Sequence, residues 1–287
     1  MPSIAVLLTC FNRRELTLRC LGLLASQQTQ RPRTLHVILV DDGSTDGTSD
    51  AVRKQFPEVQ LLAGTGQLYW VGGMRLAFSE ALKGAFDFVL FLNDDTTLTP
   101  SAIDVLLETA CALEAKGITA IIAGSTCDAA TGKRTYGGEL QVKSWLARAS
   151  RSLPLDPLPD QSLPCETMNA NCTLIPRRIF CALGNFDAAF THRFADTDYG
   201  FRALKAGFSV YIAPGYIGTC SDNSRTGTWR DHSVSLCRRW QSLRSMKSGA
   251  PFREWFIYCR RHLGPLWPIY VVSPYIKTLG SSIFSSR

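Results

Sequence analysis

The sequence predicts an α/β fold: a mostly parallel central sheet flanked by helices, with a helical C-terminal extension. Three observations over roughly residues 1–125 carry this expectation. Short apolar runs alternate with helix-period segments. The runs are nearly continuous in apolar residues, as strands covered on both faces are. Each of the first four runs ends in a polar or glycine-rich stretch, and β-α-β sheets bind ligands beyond the carboxyl ends of their strands.

Taken in order, Ile4 to Leu8 is expected as a strand, Glu15 to Ser26 as a helix, Leu35 to Val40 as a strand and Asp46 to Gln55 as a helix. Gln60 to Ala63, Phe86 to Leu92 and Thr119 to Gly124 supply further strands, with helices at Gly73 to Lys83 and Ser101 to Lys116. Between Ser125 and Glu166 the alternation weakens. There "STCDAATGKRTYGGEL" suggests a β-excursion, and "RSLPLDPLPDQSLP" a proline-rich loop arching over a site. "MNANCTLIPRRIFCALGNFD" then reads as a strand turning into a short helix. Asp198 to Ala206 is expected to be helical, with Gly207 ending it and Phe208 to Ala213 forming a strand. Two helical segments and the aromatic stretch "LGPLWPIYVVSPYIKTL" follow Asn223. The organisation expected is one domain over 1–223 and a basic, aromatic-rich helical extension over 224–287.

Of the 287 residues, 45% are hydrophobic and 19% charged, enough to bury a proper core and too apolar for long disorder. The ten cysteines form no C-x-x-C pair and no zinc-ligand spacing, so they read as reduced thiols of a cytosolic protein. "MPSIAVLLTCFNRR" enters a strand directly, and no signal peptide is expected. No apolar segment approaches the ~20 residues of a membrane span. The location expected is cytoplasmic, either free or peripheral on the inner face of the membrane. Net charge is +7, and from Arg225 onward eleven Lys and Arg face only Asp231 and Glu254. Such a tail fits an anionic partner (phosphate, a diphosphate lipid or an anionic membrane surface), and no nucleic acid is expected.

The stretch "FLNDDTTLTP" raises the sharpest question. Asp94 and Asp95 close a buried strand side by side, where desolvation and mutual repulsion both disfavour their charge. Either the pair sits in water, or something positive sits between them. "VDDGSTDGT" presents Asp41 and Asp42 after another strand. Gly43 and Gly47 there allow close backbone approach, while Ser44, Thr45 or Asp46 can cap the following helix. In "GTGQLYWVGGMRLAF", Gly72 and Gly73 are expected just before a helix N-terminus, which favours anions. Tyr69 and Trp70 either stack on a sugar or base or pack in the core. Arg13 and Arg14 either approach phosphate or belong to the surface, and His192 either binds acceptor or phosphate or is structural. Arg202, four residues after Asp198, can form an ion pair with it on one helical face.

"LLTCFNRRE", "VDDGSTDGT", "FLNDDTTLTP" and "FADTDYGFRALKAGF" together resemble, in order and approximate spacing, the inverting family 2 glycosyltransferases. The resemblance spans roughly Ser3 to Ala213 and implies a GT-A nucleotide-sugar-binding fold. "GQLYWVGGMRLAF" is similar to a rhamnosyltransferase-like subgroup of bacterial surface polysaccharide synthesis. By that resemblance, the donor is a nucleotide diphosphate-sugar held around Thr9, Cys10 and Asn12, with Asp41 or Asp42 on the base. The acidic loop matches the family's aspartate-any-aspartate motif as Asn93-Asp94-Asp95. Asp95 falls on its last aspartate and is the expected ligand of Mg²⁺ or Mn²⁺, which prefer carboxylates and phosphates. Asn93 departs from the motif and is expected on sugar or ribose. In the second acidic stretch Asp196 takes the place of the general base, Ala195 replaces a glutamate, and Asp198 is a helper or a helix cap. Relatives often have asparagine where Arg75 stands, and a histidine metal ligand near Cys220 and Asp222. Asp222 is the better ligand for a hard cation.

The resemblance implies a metal-dependent inverting transfer to a hydroxyl of a glycan or lipid-linked acceptor. A sugar nucleotidyltransferase would need glycines that "TCFNRRE" lacks. A non-catalytic nucleotide-sugar-binding module would show binding without turnover, and Asn93 and Ala195 leave it open. In the tail, Trp255, Phe256, Tyr258, Trp267, Tyr270 and Tyr275 accompany Arg253, Arg260 and Arg261. These aromatics either meet an anionic membrane or dock on the domain, and prolines at 265, 268 and 274 argue against one long helix.

Overall fold

The computed structural model describes residues 1–28, 32–142, 151–222, 226–247 and 249–283. Strand β1 (Ser3–Cys10) leads through α1 (Arg14–Ala25), β2 (Thr34–Asp41), α2 (Thr48–Gln55), β3 (Gln60–Ala63) and α3 (Tyr69–Ala81) to β4 (Phe88–Leu92). β1 pairs in parallel with β2 on one side and β4 on the other, and β3 extends the sheet from β2. The two-residue alternation of a strand sorts β1 between two cores. Ile4, Val6 and Leu8 pack with α1, while Ala5 and Leu7 pack with α3. All five are fully buried, and each large aliphatic among them contributes roughly 1.5–3 kcal/mol.

Beyond β4 come β5 (Thr97–Leu98), α4 (Ala102–Glu114), β6 (Ala120–Cys127), β7 (Arg134–Tyr136), β8 (Gly138–Val142), β9 (Arg151–Pro154), β10 (Leu163–Cys165), β11 (Thr167–Met168) and β12 (Cys172–Pro176). The described part of the excursion is β-structure, and the proline-rich stretch carries β9 and β10 near its two ends. β11, β8 and β9 form a small separate sheet. β12 inserts between β4 and β6 and runs antiparallel to both, so Cys172 stands opposite Leu92. Its first residue therefore lies where the parallel strands end.

α5 (Arg177–Leu183), α6 (Ala195–Lys205) and β13 (Ser209–Thr219) complete the sheet in the order β10-β13-β6-β12-β4-β1-β2-β3. α6 starts three residues earlier than the sequence suggested, at a left-handed Phe194 with φ of 70°. Asp196 thereby falls in its first turn. The expected boundary at 223–224, and Arg225 and Arg287, lie outside the described residues.

The extension holds α7 (Leu236–Arg244), α8 (Phe252–His262), a 3₁₀ turn (Gly264–Leu266) and α9 (Trp267–Ile283). α9 corrects the expectation that its prolines break the helix. Pro274 lacks the N–H that Tyr270 O would accept, and Trp255 Nε1 (3.1 Å) and Ser273 Oγ (3.2 Å) donate to that oxygen instead. Several of the aromatics look inward. Tyr258 is buried, and with Trp255 it lies 5.0–5.4 Å from the Phe194 ring.

Charge locks the same junction. Asp198 is fully buried, its Oδ1 2.8 Å from His262 Nε2 and 3.2 Å from Arg261 Nη1. Arg202 Nε lies 3.0 Å from Oδ2, an ion pair without hydrogen-bond geometry. Asp198 is thus committed to holding α8 against α6. Asp198→Asn is expected to cost about 3 kcal/mol, because it removes the buried anion that Arg202 and Arg261 share, although Arg261 keeps Asp187 as a partner. Thermal unfolding should fall accordingly and α8 should become sensitive to limited proteolysis. An unchanged midpoint with abolished transfer would return Asp198 to the chemistry.

Burial depresses the His262 pKa against the opposing pull of Asp198. The unfolded chain therefore binds more protons near the ordinary ~6.5, and this contribution to stability is lost as pH falls through that value.

Candidate active site

The loops after β1 and β2 are stitched together by side-chain to backbone bonds. Asn12, at φ of 51°, accepts from Thr45 N at 2.7 Å, while its own N–H donates to Ser44 Oγ at 2.8 Å. Asp46 accepts from Arg14 N and Thr48 N, so it caps α2 and ties it to α1. Asp41 and Asp42 are both buried. Asp41 accepts from Ser44 N and Ser49 Oγ. Asp42 accepts from Gly66 N, Leu68 N and Tyr69 N at 2.8–3.1 Å, and so shapes the entry to α3. Gly43, at φ of +81°, lets this turn approach Gly66, whose Cα lies 3.2 Å from where a Cβ would stand. Phe11, which sequence reasoning passed over, stands exposed beside these turns.

Gly72 and Gly73 are not at the approach to a helix N-terminus as expected, because α3 begins at Tyr69. Gly73 instead permits close packing, since a Cβ there would stand 2.1 Å from Thr9 Oγ1. Cys10 is buried, and burial with Asp41 and Asp94 nearby raises its pKa, keeping it a thiol. Trp70 serves the acidic loop: its indole Nε1 donates to Asn93 Oδ1 at 2.8 Å. His192 receives a long 3.4 Å contact from Trp70 N. Burial, with Arg193 and Lys247 adding to it, pushes the imidazole down to about 4, so it is neutral at pH 7.

A cation does sit between the paired carboxylates. Arg13 Nη1 is 2.7 Å from Asp94 Oδ1 and Nη2 is 2.9 Å from Asp95 Oδ2. Asp94 is buried, with Thr17 Oγ1 at 3.3 Å, and burial raises its pKa to about 6 against the opposing pull of Arg13. Asp95 is more open, and Cys220 Sγ lies 3.5 Å from its Oδ1. Asp222 is exposed two residues beyond Cys220. Among the described residues no three His, Cys, Asp or Glu side chains converge as a metal cage. The donor set still suits Mg²⁺ or Mn²⁺, which are commonly held by one or two carboxylates plus substrate phosphates.

Asp196 connects to this loop through a two-residue bridge that the sequence did not reveal. Ala170 N donates to Asp196 Oδ2 at 3.3 Å, and the next residue's carbonyl, Asn171 O, accepts from Asn93 N at 2.9 Å. Burial raises the Asp196 pKa, opposed by the Thr197 and Ala170 N–H groups. Glu139, on β8, is a second carboxylate within electrostatic reach of Asp196; burial raises its pKa too. The small sheet braces α6 from below, with Thr167 Oγ1 donating to Thr197 O at 2.8 Å. A cavity of about 250 Å³ between α1 and β2 lies away from these carboxylates and is mostly apolar.

A mixed sheet with polar loops at its carboxyl edge, an acidic pair after β4 and a further carboxylate opening α6 form the arrangement expected of a glycosyltransferase of GT-A type. The family described as Glycosyltransferase like family 2 matches residues 2–242, and the chain belongs to that family. It is 28% identical over 210 residues to the N-acetylglucosaminyl-diphospho-decaprenol L-rhamnosyltransferase of Mycobacterium tuberculosis, in both strain CDC 1551 / Oshkosh and strain ATCC 25618 / H37Rv, covering 66% of this chain and 67% of the relative. It shares its fold with a mannosyltransferase from Pyrobaculum calidifontis, solved in complex with GDP-Man and Mn²⁺. The TM-score is 0.53 at 19% identity, over 96% of this chain and 70% of that one.

Arg13 should be structural as well as local to the site. Arg13→Gln is expected to cost about 1–2 kcal/mol, less than a fully buried pair because the guanidinium is half exposed. In an Asp94→Asn background the same change should cost distinctly less. Thermal unfolding of the four variants measures the coupling, and equal costs in both backgrounds would mean that the pair does not depend on Arg13.

Proposed function

We propose that this glycosyltransferase moves a sugar from a nucleoside diphosphate-sugar to a hydroxyl of a glycan or lipid-linked acceptor, with inversion at the anomeric carbon and with a divalent cation bound. The observation that carries the reading is the Ala170–Asn171 bridge, which holds the Asp196 carboxylate in register with the Asp94–Asp95 loop. The relatives named above support the acceptor class.

Asp196 Oδ takes the proton from the acceptor hydroxyl as that oxygen attacks the anomeric carbon. The C–O bond to the diphosphate breaks on the opposite face, and its electron pair leaves with the nucleoside diphosphate. A sugar hydroxyl is a poor nucleophile while protonated, so the base is needed in the transition state. Raised by burial, the Asp196 pKa is closer to the working pH than that of an ordinary aspartate, which favours proton acceptance. Thr197 N and Ala170 N fix its orientation. Asn93, oriented by Trp70, faces sugar or ribose, and the turns around Thr9, Cys10, Asn12, Asp41 and Asp42 receive the nucleoside. Asp95, with Asp222 as second candidate, would hold the cation, which when bound neutralises charge on the leaving diphosphate.

Membrane attachment belongs to this reading. Ile269, Val272, Ile276 and Leu279 recur on α9 at three- and four-residue spacing and are all exposed, as are Lys277 on the same helix and Arg253 and Arg260 on α8. No helix among the described residues is long and apolar enough to cross a membrane. An aliphatic stripe beside cations suits shallow contact with an anionic surface.

Screening the purified protein against a panel of nucleotide sugars, with and without Mn²⁺, tests the reading directly. Asp196→Asn should preserve donor binding and reduce transfer by at least about a hundredfold. Asp95→Ala should instead abolish the Mn²⁺ dependence of donor affinity measured by calorimetry. In the parent, the transfer rate should fall with acid at a pH above the ordinary ~3.9 of aspartate, since the base must be unprotonated. Transfer that survives Asp196→Asn would exclude it as the base.

Vesicles containing phosphatidylglycerol should co-sediment the protein at low salt and release it at high salt, and Ile276→Asp should weaken attachment. Absence of binding at low salt would leave α9 without a membrane role.

A further inference from the structure

Between the start of α6 and the C-terminal extension lies a cavity of about 150 Å³ that the sugar-transfer chemistry above does not use. Three of its lining residues are the cations Arg193, Arg230 and Lys277, three are the aromatics Phe194, Trp229 and Trp255, and among the described residues no carboxylate lines it. The guanidiniums are seated against rings: Arg230 lies 4.9 Å from the Trp229 centroid and Arg193 5.6 Å from that of Phe194. The tryptophans are held in turn, Trp229 N donating to Ser242 Oγ at 3.0 Å and Trp255 Nε1 to Tyr270 O at 3.1 Å. Burial and the neighbouring Arg230 act against the charge on Arg193, while the Asp196 carboxylate acts in its favour.

We infer that this cavity binds the diphosphate group of a lipid-linked acceptor and so positions the acceptor hydroxyl at Asp196; the inference rests on the glycosyl-transfer reading. Its size decides against a whole nucleotide sugar. At ~30 Å³ per water it has room for about five, well below the roughly 300 Å³ at which pockets for whole small molecules begin. Its charge selects an anion with several oxygens, which arginine forks recognise in a bidentate way. Its position selects the acceptor. Arg193 precedes the proposed base by three residues and feels its charge. α9 brings Ser273, Pro274 and Lys277 to the cavity while exposing the Ile269, Val272, Ile276 and Leu279 stripe. A lipid lying along that stripe would deliver its diphosphate to the cavity and its sugar toward α6.

The test uses the full chain with the donor site saturated by a nucleoside diphosphate. Geranyl diphosphate is titrated while tryptophan fluorescence is followed, with geraniol, inorganic phosphate and glycerol 3-phosphate as separate arms. Geranyl diphosphate should bind most tightly. The double variant Arg230→Gln, Lys277→Gln, at two exposed positions, should weaken it at least about tenfold, one charge-assisted hydrogen bond's worth, while nucleotide affinity and thermal midpoint stay at parental values. No binding of geranyl diphosphate, or binding unchanged in the double variant, would overturn the proposal. Glycerol 3-phosphate binding as tightly would overturn it in favour of a lipid headgroup, and inorganic phosphate binding as tightly in favour of a generic anion site. Failure of sugar transfer with any donor, while the diphosphate still binds, would defeat the transferase reading alone.

Discussion

The antiparallel insertion of β12 between β4 and β6 is the constraint on which the site depends. A parallel strand there would start at the opposite end of the sheet. Running backward, β12 starts beside the carboxyl end of β4, with Cys172 opposite Leu92, so the residues just before it meet the acidic loop. One backbone bond from Asn93 N to Asn171 O and one bond from Ala170 N to the Asp196 carboxylate then link two carboxylate centres separated by about a hundred residues of chain. The excursion through the small sheet gives the chain the length to turn round, and its Thr167 returns to brace α6.

Charge compensation organises the rest. Asp94 and Asp95 share Arg13, whose guanidinium spans both, and the buried member still sits well above an ordinary carboxylate because burial outweighs that pairing. Asp95, proposed above to hold a divalent cation, already has a positive partner in Arg13, so a cation there would have to share or displace that guanidinium. Also in the first turn of α6, Asp198 gathers Arg202, Arg261 and His262. Two aspartates two residues apart thus have opposite fates. Asp196 accepts from Ala170 N beside the acidic loop, and Asp198 ties the extension to the domain.

The extension belongs to the same architecture as the sheet. Tyr258 enters the larger core, Trp255 satisfies the carbonyl orphaned by Pro274, and the extension supplies most of the lining of the cation-lined cavity beside Arg193 and Phe194. The apolar face left over on α9 is aliphatic, while Trp255, Tyr258 and Tyr270, which the sequence offered for a membrane, are used inward.

Apart from the two-residue β5, the sequence by itself determined the order of strands and helices through α4, because period-two and period-3.6 patterns are local and survive without tertiary context. It also determined that carboxylates stand at strand ends, since Asp41, Asp42, Asp94 and Asp95 directly follow apolar runs. Only the tertiary structure decided what those carboxylates do. Asp42 is occupied by backbone donors from a loop more than twenty residues away, Gly73 serves Thr9 rather than an anion, and Arg13 fills the gap between Asp94 and Asp95. The one legible hint was electrostatic, for an acidic pair closing a buried strand calls for water or a cation beside it, and "FNRRE" follows the neighbouring strand. Pairing direction, partner choice across more than sixty residues and the survival of a proline inside α9 depend on contacts that no local pattern encodes.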